Sequence, residues 1–172
     1  EIVIGDYVMQ VGQGLVLWNG LSFGKGAMIT SSARQGVGLK SYTSINEVGF
    51  LRGASTRLAL TEKIDFTPFL SWRKISGSIT KTEESTVINS ISVSGLHRKP
   101  NELNNRHQID QYTYGVDITY RYNRLKLGLA SVHTRYGWEF APSTQLRNLD
   151  NFADRSVTNF GFNYQATIQN AY

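Results

Sequence analysis

Two histidines and two carboxylates within residues 97–110 carry the residue types of a metal site. His97 and His107 share a polar segment with Glu102 and Asp110. Imidazole and carboxylate groups bind divalent transition metals. Their spacing matches neither a helical i, i+4 pair nor a known zinc-binding pattern. We therefore expect a solvated loop here and no metal site.

Two glycine pairs and the many serines are the other candidates for chemistry. Residues 12–14 (Gly-Gln-Gly) and 24–26 (Gly-Lys-Gly) lack the spacing and the following helix of a phosphate-binding loop, so a tight backbone approach is the better interpretation. The absence of cysteine excludes thiolate chemistry. A rim enzyme would need a convergent nucleophile, base and oxyanion donors, which the spacing does not provide. The sequence predicts no enzyme and no cofactor.

Alternation with a period of two is the strongest structural signal. From Tyr112 to Tyr122, aromatic and aliphatic side chains occupy one face, and polar or small side chains occupy the other. The run of about eleven residues is close to the length that a tilted strand needs to cross a bilayer. Residues 64–73 and 157–168 show the same pattern. The sequence therefore predicts antiparallel transmembrane β-strands.

This alternation assigns side chains to the two faces of a membrane barrel. The predicted lumen-facing residues are charged: Arg57, Arg73, Asp117, Arg121 and Lys126. The predicted lipid-facing residues are apolar or aromatic: Tyr112, Tyr114, Val116, Ile118, Tyr120, Phe160, Phe162 and Tyr164. The luminal charges would either set solute preference or brace a narrow barrel.

The connections alternate between short and long. Thr61-Glu62-Lys63 and Asn123-Arg124 are of hairpin length, whereas residues 20–52, 74–110 and 139–155 are predicted as long loops. Short periplasmic turns and long extracellular loops are typical of outer-membrane barrels. Residues 2–9 and 15–18 look like strands, and a change of phase predicts a β-bulge near Ala130–Ser131.

Composition agrees with an envelope protein. The 172 residues are 40% hydrophobic and only 18% charged, and their net charge of +5 is scattered. Scattered basic residues argue against a nucleic-acid surface. No run of about 18 apolar residues occurs, so no membrane-spanning helix is expected. Both ends have the character of interrupted strands, which predicts that the chain is part of a longer polypeptide.

Three segments resemble a known family. GDYVMQVGQGLVLWNGLSFGK (5–25), SYTSINEVGFLRGAS (41–55) and SGLHRKPNEL (94–103) are similar to a Bacteroidota outer-membrane β-barrel family commonly labelled helix-hairpin-helix domain-containing protein, in its β-rich part only. The third segment holds the loop motif, which consists of Gly95, Leu96, His97, Arg98 and Glu102. The resemblance implies an envelope location and leaves the function open.

The loop motif and its surroundings also predict two local ion pairs. Glu102 would pair with Arg98 if Pro100–Leu103 begins a helical turn, and Arg52 is available to a carboxylate such as that of Glu47. Either pair would help to fix a loop in place.

The sequence thus predicts a single all-β domain over residues 1–172, comprising about six to eight strands of a transmembrane β-barrel or of a sector of a larger one. The expected function is porin-like transport or a structural role in an outer-membrane protein complex. The expected partners are outer-membrane lipid and other envelope subunits, with neither nucleic acid nor a small-molecule ligand. The alternatives are a soluble β-barrel that binds a ligand inside, and an envelope protein associated with DNA uptake.

Overall fold

The computed structural model describes residues 1–19, 36–82, 85–95, 97–142 and 152–166. These ranges contain eleven strands and one short helix. The strands are β1 (Ile2–Gln10), β2 (Gly38–Ser41), β3 (Leu51–Thr56), β4 (Leu58–Ala59), β5 (Ile64–Ile75), β6 (Gly77–Lys81), β7 (Thr86–Ile91), β8 (Ile109–Tyr122), β9 (Leu125–Tyr136), β10 (Glu139–Phe140) and β11 (Ser156–Ala166). Helix α1 (Pro100–Asn104) lies between β7 and β8. No helix in these ranges is long and apolar enough to cross a lipid bilayer.

Eight of the strands form one antiparallel sheet, which curls into a half-barrel. The strand order is β11-β9-β8-β5-β3-β1-β2, with β4 paired to β5. The remaining strands form a small sheet of order β10-β7-β6, in which β10 runs parallel to β7. The prediction of an all-β, antiparallel fold is confirmed.

The registers define two faces of the large sheet. The concave side, as we call the face that carries Tyr7 and Phe69, includes Asp65, Thr67 and Ser71 on β5. The convex side carries the alternate residues, such as Leu70 and Trp72. The alternation predicted over residues 64–73 lies within β5, and its two sets of residues occupy opposite faces because successive side chains of a strand point to opposite sides.

Glycine allows the strands to pack closely at the centre of the sheet. Gly115 on β8 pairs with Phe69 on β5, and a Cβ atom there would lie 2.8 Å from the Phe69 ring and 2.1 Å from the Ser131 carbonyl oxygen. The aromatic ring thus covers the strand at a position where only glycine fits.

Residues 11–19, which follow β1, cross the concave side. Val16 contacts Gly161 on β11, and Gly12 contacts Asn163 on the same strand. Leu17 joins an apolar cluster with residues from β1, β3, β5 and β9. This crossing fills the middle of the half-barrel.

The predicted bulge near Ala130–Ser131 is wrong. The β8–β9 register runs without a shift from Gln111↔Tyr136 to Tyr122↔Leu125. The bulky residues change face because the C-terminal half of β9 packs against the concave side. Val132, in that half, is buried in the apolar cluster there. The change of face is therefore explained by an apolar core on the concave side, which was not predicted from the sequence, and not by a bulge.

The three predicted long loops contain regular structure. Strand β2 and the start of β3 lie within residues 20–52, the β6–β7 hairpin and α1 lie within 74–110, and β10 lies within 139–155. In β6 and β7, the Ser, Thr and Ile residues do not alternate cleanly between polar and apolar, so the sequence predicted a loop there. Conversely, the strand predicted at residues 15–18 is reduced to an isolated bridge between Trp18 and Gln10. The chain holds more strands than the six to eight that were predicted.

Candidate functional site

A charged cluster occupies the concave side near the two short turns. Asp65 on β5 is buried, and its Oδ2 atom accepts hydrogen bonds from Arg57 at 2.6 Å and from Arg121 at 2.6 Å. Both guanidinium groups are partly exposed, so each pair is screened and contributes modestly to stability. The carboxylate therefore ties the β4 region to β5 and β8.

Further polar groups extend the cluster. Asp117 pairs with Thr67 across the β5–β8 ladder and accepts a hydrogen bond from the Thr119 hydroxyl at 3.2 Å. Lys126 on β9 lies opposite Arg121 on β8 in the strand register. All of them line a cavity of about 330 Å³. Four of the five residues predicted to face a lumen, namely Arg57, Asp117, Arg121 and Lys126, therefore share one cavity on the concave side.

Arg73 lies apart from these four. It lines a second cavity of about 430 Å³ at the opposite end of β5, beside the β6–β7 hairpin. Its guanidinium donates hydrogen bonds to the Phe50 and Glu47 carbonyl oxygens and stacks 4.3 Å from the Phe50 ring. It thus anchors the segment that leads into β3.

An apolar layer separates the two cavities. Tyr7, Leu17, Phe69, Ala130 and Val132 belong to one buried cluster at the middle level of the sheet. The Tyr7 hydroxyl donates to the Leu70 carbonyl oxygen at 2.7 Å. The concave side is therefore polar at both ends and packed in between.

The residues predicted to contact lipid all lie on the convex side. Tyr112, Tyr114, Phe160, Phe162 and Tyr164 are exposed there, and Val116, Ile118 and Tyr120 are half-buried among them. Trp72 stacks on Tyr112 with the ring planes 4° apart.

The loop motif forms a hydrogen-bonded unit. α1 confirms the predicted helical turn, but Glu102 does not bind Arg98 through its guanidinium. The carboxylate accepts instead from the backbone N–H groups of Arg98 (2.7 Å) and Lys99 (3.2 Å), which lowers the pKa of Glu102. Gly95 has a φ of +64° and packs against Val48. Leu96 lies outside the described residues.

Arg52 pairs with a carboxylate as predicted, but Glu47, the example given, is not its partner. Arg52 instead makes a bidentate contact with Asp6, its neighbour across the β1–β3 ladder, at 2.7 and 2.9 Å. Glu47 faces the loop motif, with Oε2 3.3 Å from His97 Nδ1 and Oε1 3.7 Å from Arg106. Register, which sequence spacing does not reveal, decides both pairings.

A serine completes a relay that sequence reasoning missed. Ser76 Oγ lies 2.9 Å from His97 Nε2, on the other side of the imidazole from Glu47. His107 is a neighbour, with its ring centroid 6.1 Å from that of His97. Burial is the main cause that lowers the pKa of His107, and Arg106 adds to it. Ser76, His97, Glu47 and His107 line the second cavity.

Ser76, His97 and Glu47 are 21 to 50 residues apart in sequence, so no local motif could have revealed their contacts. The described residues contain no group of three or more potential metal ligands. Comparison with family models, curated proteins and solved structures finds no match to this chain.

Proposed function

We propose that the chain forms part of the wall of a bacterial outer-membrane β-barrel and serves as a structural subunit of an envelope assembly or in transport. The observation that carries this proposal is the convex side of the sheet. Its exposed residues are large, apolar and contiguous across β5, β8, β9 and β11. Soluble monomers rarely expose such an extended apolar surface.

Charged and aromatic groups bound this apolar surface at both ends. At one end, Arg52 pairs with Asp6, and the Trp72 indole donates a hydrogen bond to Asp110. At the other end, Lys63 lies 4.7 Å from the centre of the Tyr122 ring. Amphipathic rings and charges at these levels are typical of the two interfaces of a bilayer.

The height of the surface also agrees with a bilayer. Tyr112 and Tyr122 mark the two ends on β8, and the ten residue steps from one to the other span about 33 Å along the strand. Tilted by the usual 35–45°, such a strand covers about 25 Å along the barrel axis, which is the height of the apolar band in outer-membrane barrels.

The concave side favours a filled barrel over an open pore. The apolar layer around Phe69 and Val132 interrupts the polar path between the two cavities. We therefore favour the structural role within the proposed function, with the charged cluster around Asp65 bracing the strands.

Tryptophan fluorescence tests the proposal. We would prepare two single-tryptophan variants, one keeping Trp72 on the convex side and one keeping Trp18 on the concave side, and refold both into vesicles that contain brominated lipid. The proposal predicts strong quenching of Trp72 and weak quenching of Trp18, together with a change in gel mobility on boiling. Equal quenching of both, or a folded β-sheet in plain buffer without any mobility change, would refute it and support the soluble ligand-binding barrel.

A further inference from the structure

Three polar side chains from distant parts of the chain meet at the second cavity. Ser76 immediately follows β5, His97 follows β7, and Glu47 precedes β3. The Ser76 Oγ to His97 Nε2 distance is 2.9 Å, and the His97 Nδ1 to Glu47 Oε2 distance is 3.3 Å. A hydroxyl, an imidazole and a carboxylate in this order constitute the arrangement by which serine hydrolases activate their nucleophile.

We propose that Ser76 and His97 are the nucleophile and the general base of a carboxylic ester hydrolase, with Glu47 as the residue that positions His97. This inference is independent of the membrane location. It rests only on contacts among the residue that follows β5, the residues that precede β3 and the segment between β7 and β8. It goes beyond the structural role proposed above.

The backbone around Ser76 is fixed. Its carbonyl oxygen accepts from the Ser92 N–H at 2.8 Å, and the next residue, Gly77, donates its N–H to the Asn105 carbonyl oxygen at 2.9 Å. A Cβ atom at Gly77 would lie 2.4 Å from the Ser90 carbonyl oxygen, so glycine is required for this close approach. The backbone at Ser76 is therefore held by hydrogen bonds to the residue that follows β7 and to the residue that follows α1, which preorganises its hydroxyl for attack.

A backbone donor is directed at the nucleophile. The N–H of His107 donates to Ser76 Oγ at 3.2 Å. His107 adopts a φ of +52°, a left-handed conformation that costs a non-glycine residue roughly 1–3 kcal/mol and is concentrated at functional sites. On attack, the carbonyl oxygen of a substrate would develop its negative charge close to Ser76 Oγ, within reach of this N–H group.

The Glu47 carboxylate, which faces His97, is itself held by a neighbouring cation. Arg106 lies 3.7 Å from Glu47 Oε1, the oxygen that does not face His97. The His97 side chain is only 10% exposed, whereas that of Glu47 is 49% exposed. The imidazole is thus held between a buried hydroxyl and an accessible carboxylate, with Nε2 directed at the serine.

The cavity defines the class of substrate. Its volume of about 430 Å³ accommodates a small molecule, and Ile91, Val93 and Tyr136 contribute apolar lining beside the polar relay. Ser76 is 9% exposed, so only a slender group can reach its hydroxyl. We infer that the substrate is an ester with a short aliphatic acyl chain.

The chemical steps balance without a further co-reactant. Ser76 Oγ attacks the ester carbonyl carbon while His97 Nε2 takes the hydroxyl proton. The tetrahedral intermediate collapses and the ester C–O bond breaks. His97 gives the proton to the departing alkoxide, which leaves as an alcohol. Water then attacks the acyl-serine and gives its proton to His97, and the carboxylic acid leaves as Ser76 regains its proton.

Covalent labelling of the unaltered chain is the first test. We would treat the refolded protein with an alkyl fluorophosphonate and locate the adduct by mass spectrometry. The proposal predicts a phosphonyl group on Ser76 and none on Ser78, a more accessible, half-buried serine two residues away that is hydrogen-bonded to Ser90. Absence of an adduct on Ser76 would overturn the proposal, because a nucleophile activated by His97 must react with this probe.

Hydrolysis of p-nitrophenyl butyrate is the second test. Ser76→Ala and His97→Gln should each lower kcat/KM on the order of 10³-fold or more, whereas Ser78→Ala should leave it unchanged. Glu47→Gln should lower kcat more than it raises KM, and Glu47→Asp should restore part of the loss. Equal activity of the wild type and Ser76→Ala, with the β-sheet spectrum preserved, would show that the relay only holds the loop in place.

Discussion

Replacement of Leu129 by arginine distinguishes a lipid-facing surface from a water-facing one. Leu129 is 53% exposed on the convex side, where it pairs with Ile118 on β8 and Phe162 on β11. Position 117 is midway between Tyr112 and Tyr122, so the row that contains Ile118 and Leu129 lies within about 3 Å of the centre of the apolar surface. If this surface faces lipid, the new charge enters the middle of the hydrocarbon.

The structure gives the size of the effect. An arginine at the midplane of a barrel's lipid face costs about 2–4 kcal/mol, and the penalty falls to about 0–1 kcal/mol near the interfaces. Leu125→Arg is the matched control, because Leu125 pairs with Tyr122 at the turn end of the same strand and the same face. In water, by contrast, a substitution at an exposed position changes the free energy of unfolding by only about 0.5 kcal/mol in either direction.

Reversible urea unfolding of the chain refolded into vesicles measures this difference. We expect Leu129→Arg to lower the free energy of unfolding by about 2–4 kcal/mol relative to the wild type, and Leu125→Arg to lower it much less. If the two arginine variants are equally stable, or if Leu129→Arg is as stable as the wild type, the convex side does not face lipid and the proposed function is refuted.

Two further substitutions test the local structure. Gly53→Ala should lower the free energy of unfolding by about 1–3 kcal/mol, because a Cβ atom would lie 2.4 Å from the Leu70 carbonyl oxygen. Gly5 also has a positive φ, but no atom lies within 4 Å of an added Cβ atom, so Gly5→Ala should lower the free energy of unfolding by less. An equal decrease in both variants would contradict the predicted clash at Gly53. Because burial lowers the pKa of His107, its contribution to stability is present above about pH 6.5 and is lost as the pH falls through the lowered folded value. Unfolding between pH 7 and pH 5 should therefore show a stability loss that His107→Gln reduces, whereas an identical loss in that variant would place its origin elsewhere.

Period-two alternation predicted the strands whose two faces differ clearly. The predicted run from Tyr112 to Tyr122 lies inside β8, and the two-residue turn at Asn123-Arg124 joins β8 to β9 as expected, with Asn123 at a φ of +50°. Asparagine at a position with positive φ is a strong hairpin signal. Here local chemistry alone determines the structure, so the sequence was sufficient.

Alternation failed where both faces of a strand are apolar. Along β9 the bulky residues move from the convex Leu129 to the concave Val132, and the sequence interpretation explained the move by a bulge. The cause lies elsewhere in the chain: Leu17, more than a hundred residues earlier, packs into the concave side and makes inward-facing bulk favourable at that level. A pattern within one strand does not reveal what another segment places beside it.

The candidate hydrolytic relay was unpredictable for a related reason. Ser76, His97 and Glu47 come from three segments, and the β6–β7 hairpin that brings Ser76 and His97 together read as a loop. The register of this hairpin, which shifts between Ser78 and Ile79, cannot be derived from sequence spacing. The loop-motif residues themselves were identified from sequence, but the partner of His97 was not.

The apolar layer on the concave side strengthens the argument about the convex side. At the level of Phe69 and Val132, the concave side is already covered by Tyr7 and Leu17, so the sheet has an interior there without any help from lipid. The neighbouring convex residues Leu70, Tyr114 and Phe160 are nevertheless large, apolar and more than half exposed. A soluble sheet needs one buried face, and the other is normally polar. An apolar outer face at a level where the inner face is already packed supports the proposal that this face contacts lipid, and the distance from Tyr112 to Tyr122 agrees with the thickness of the apolar band that this proposal requires.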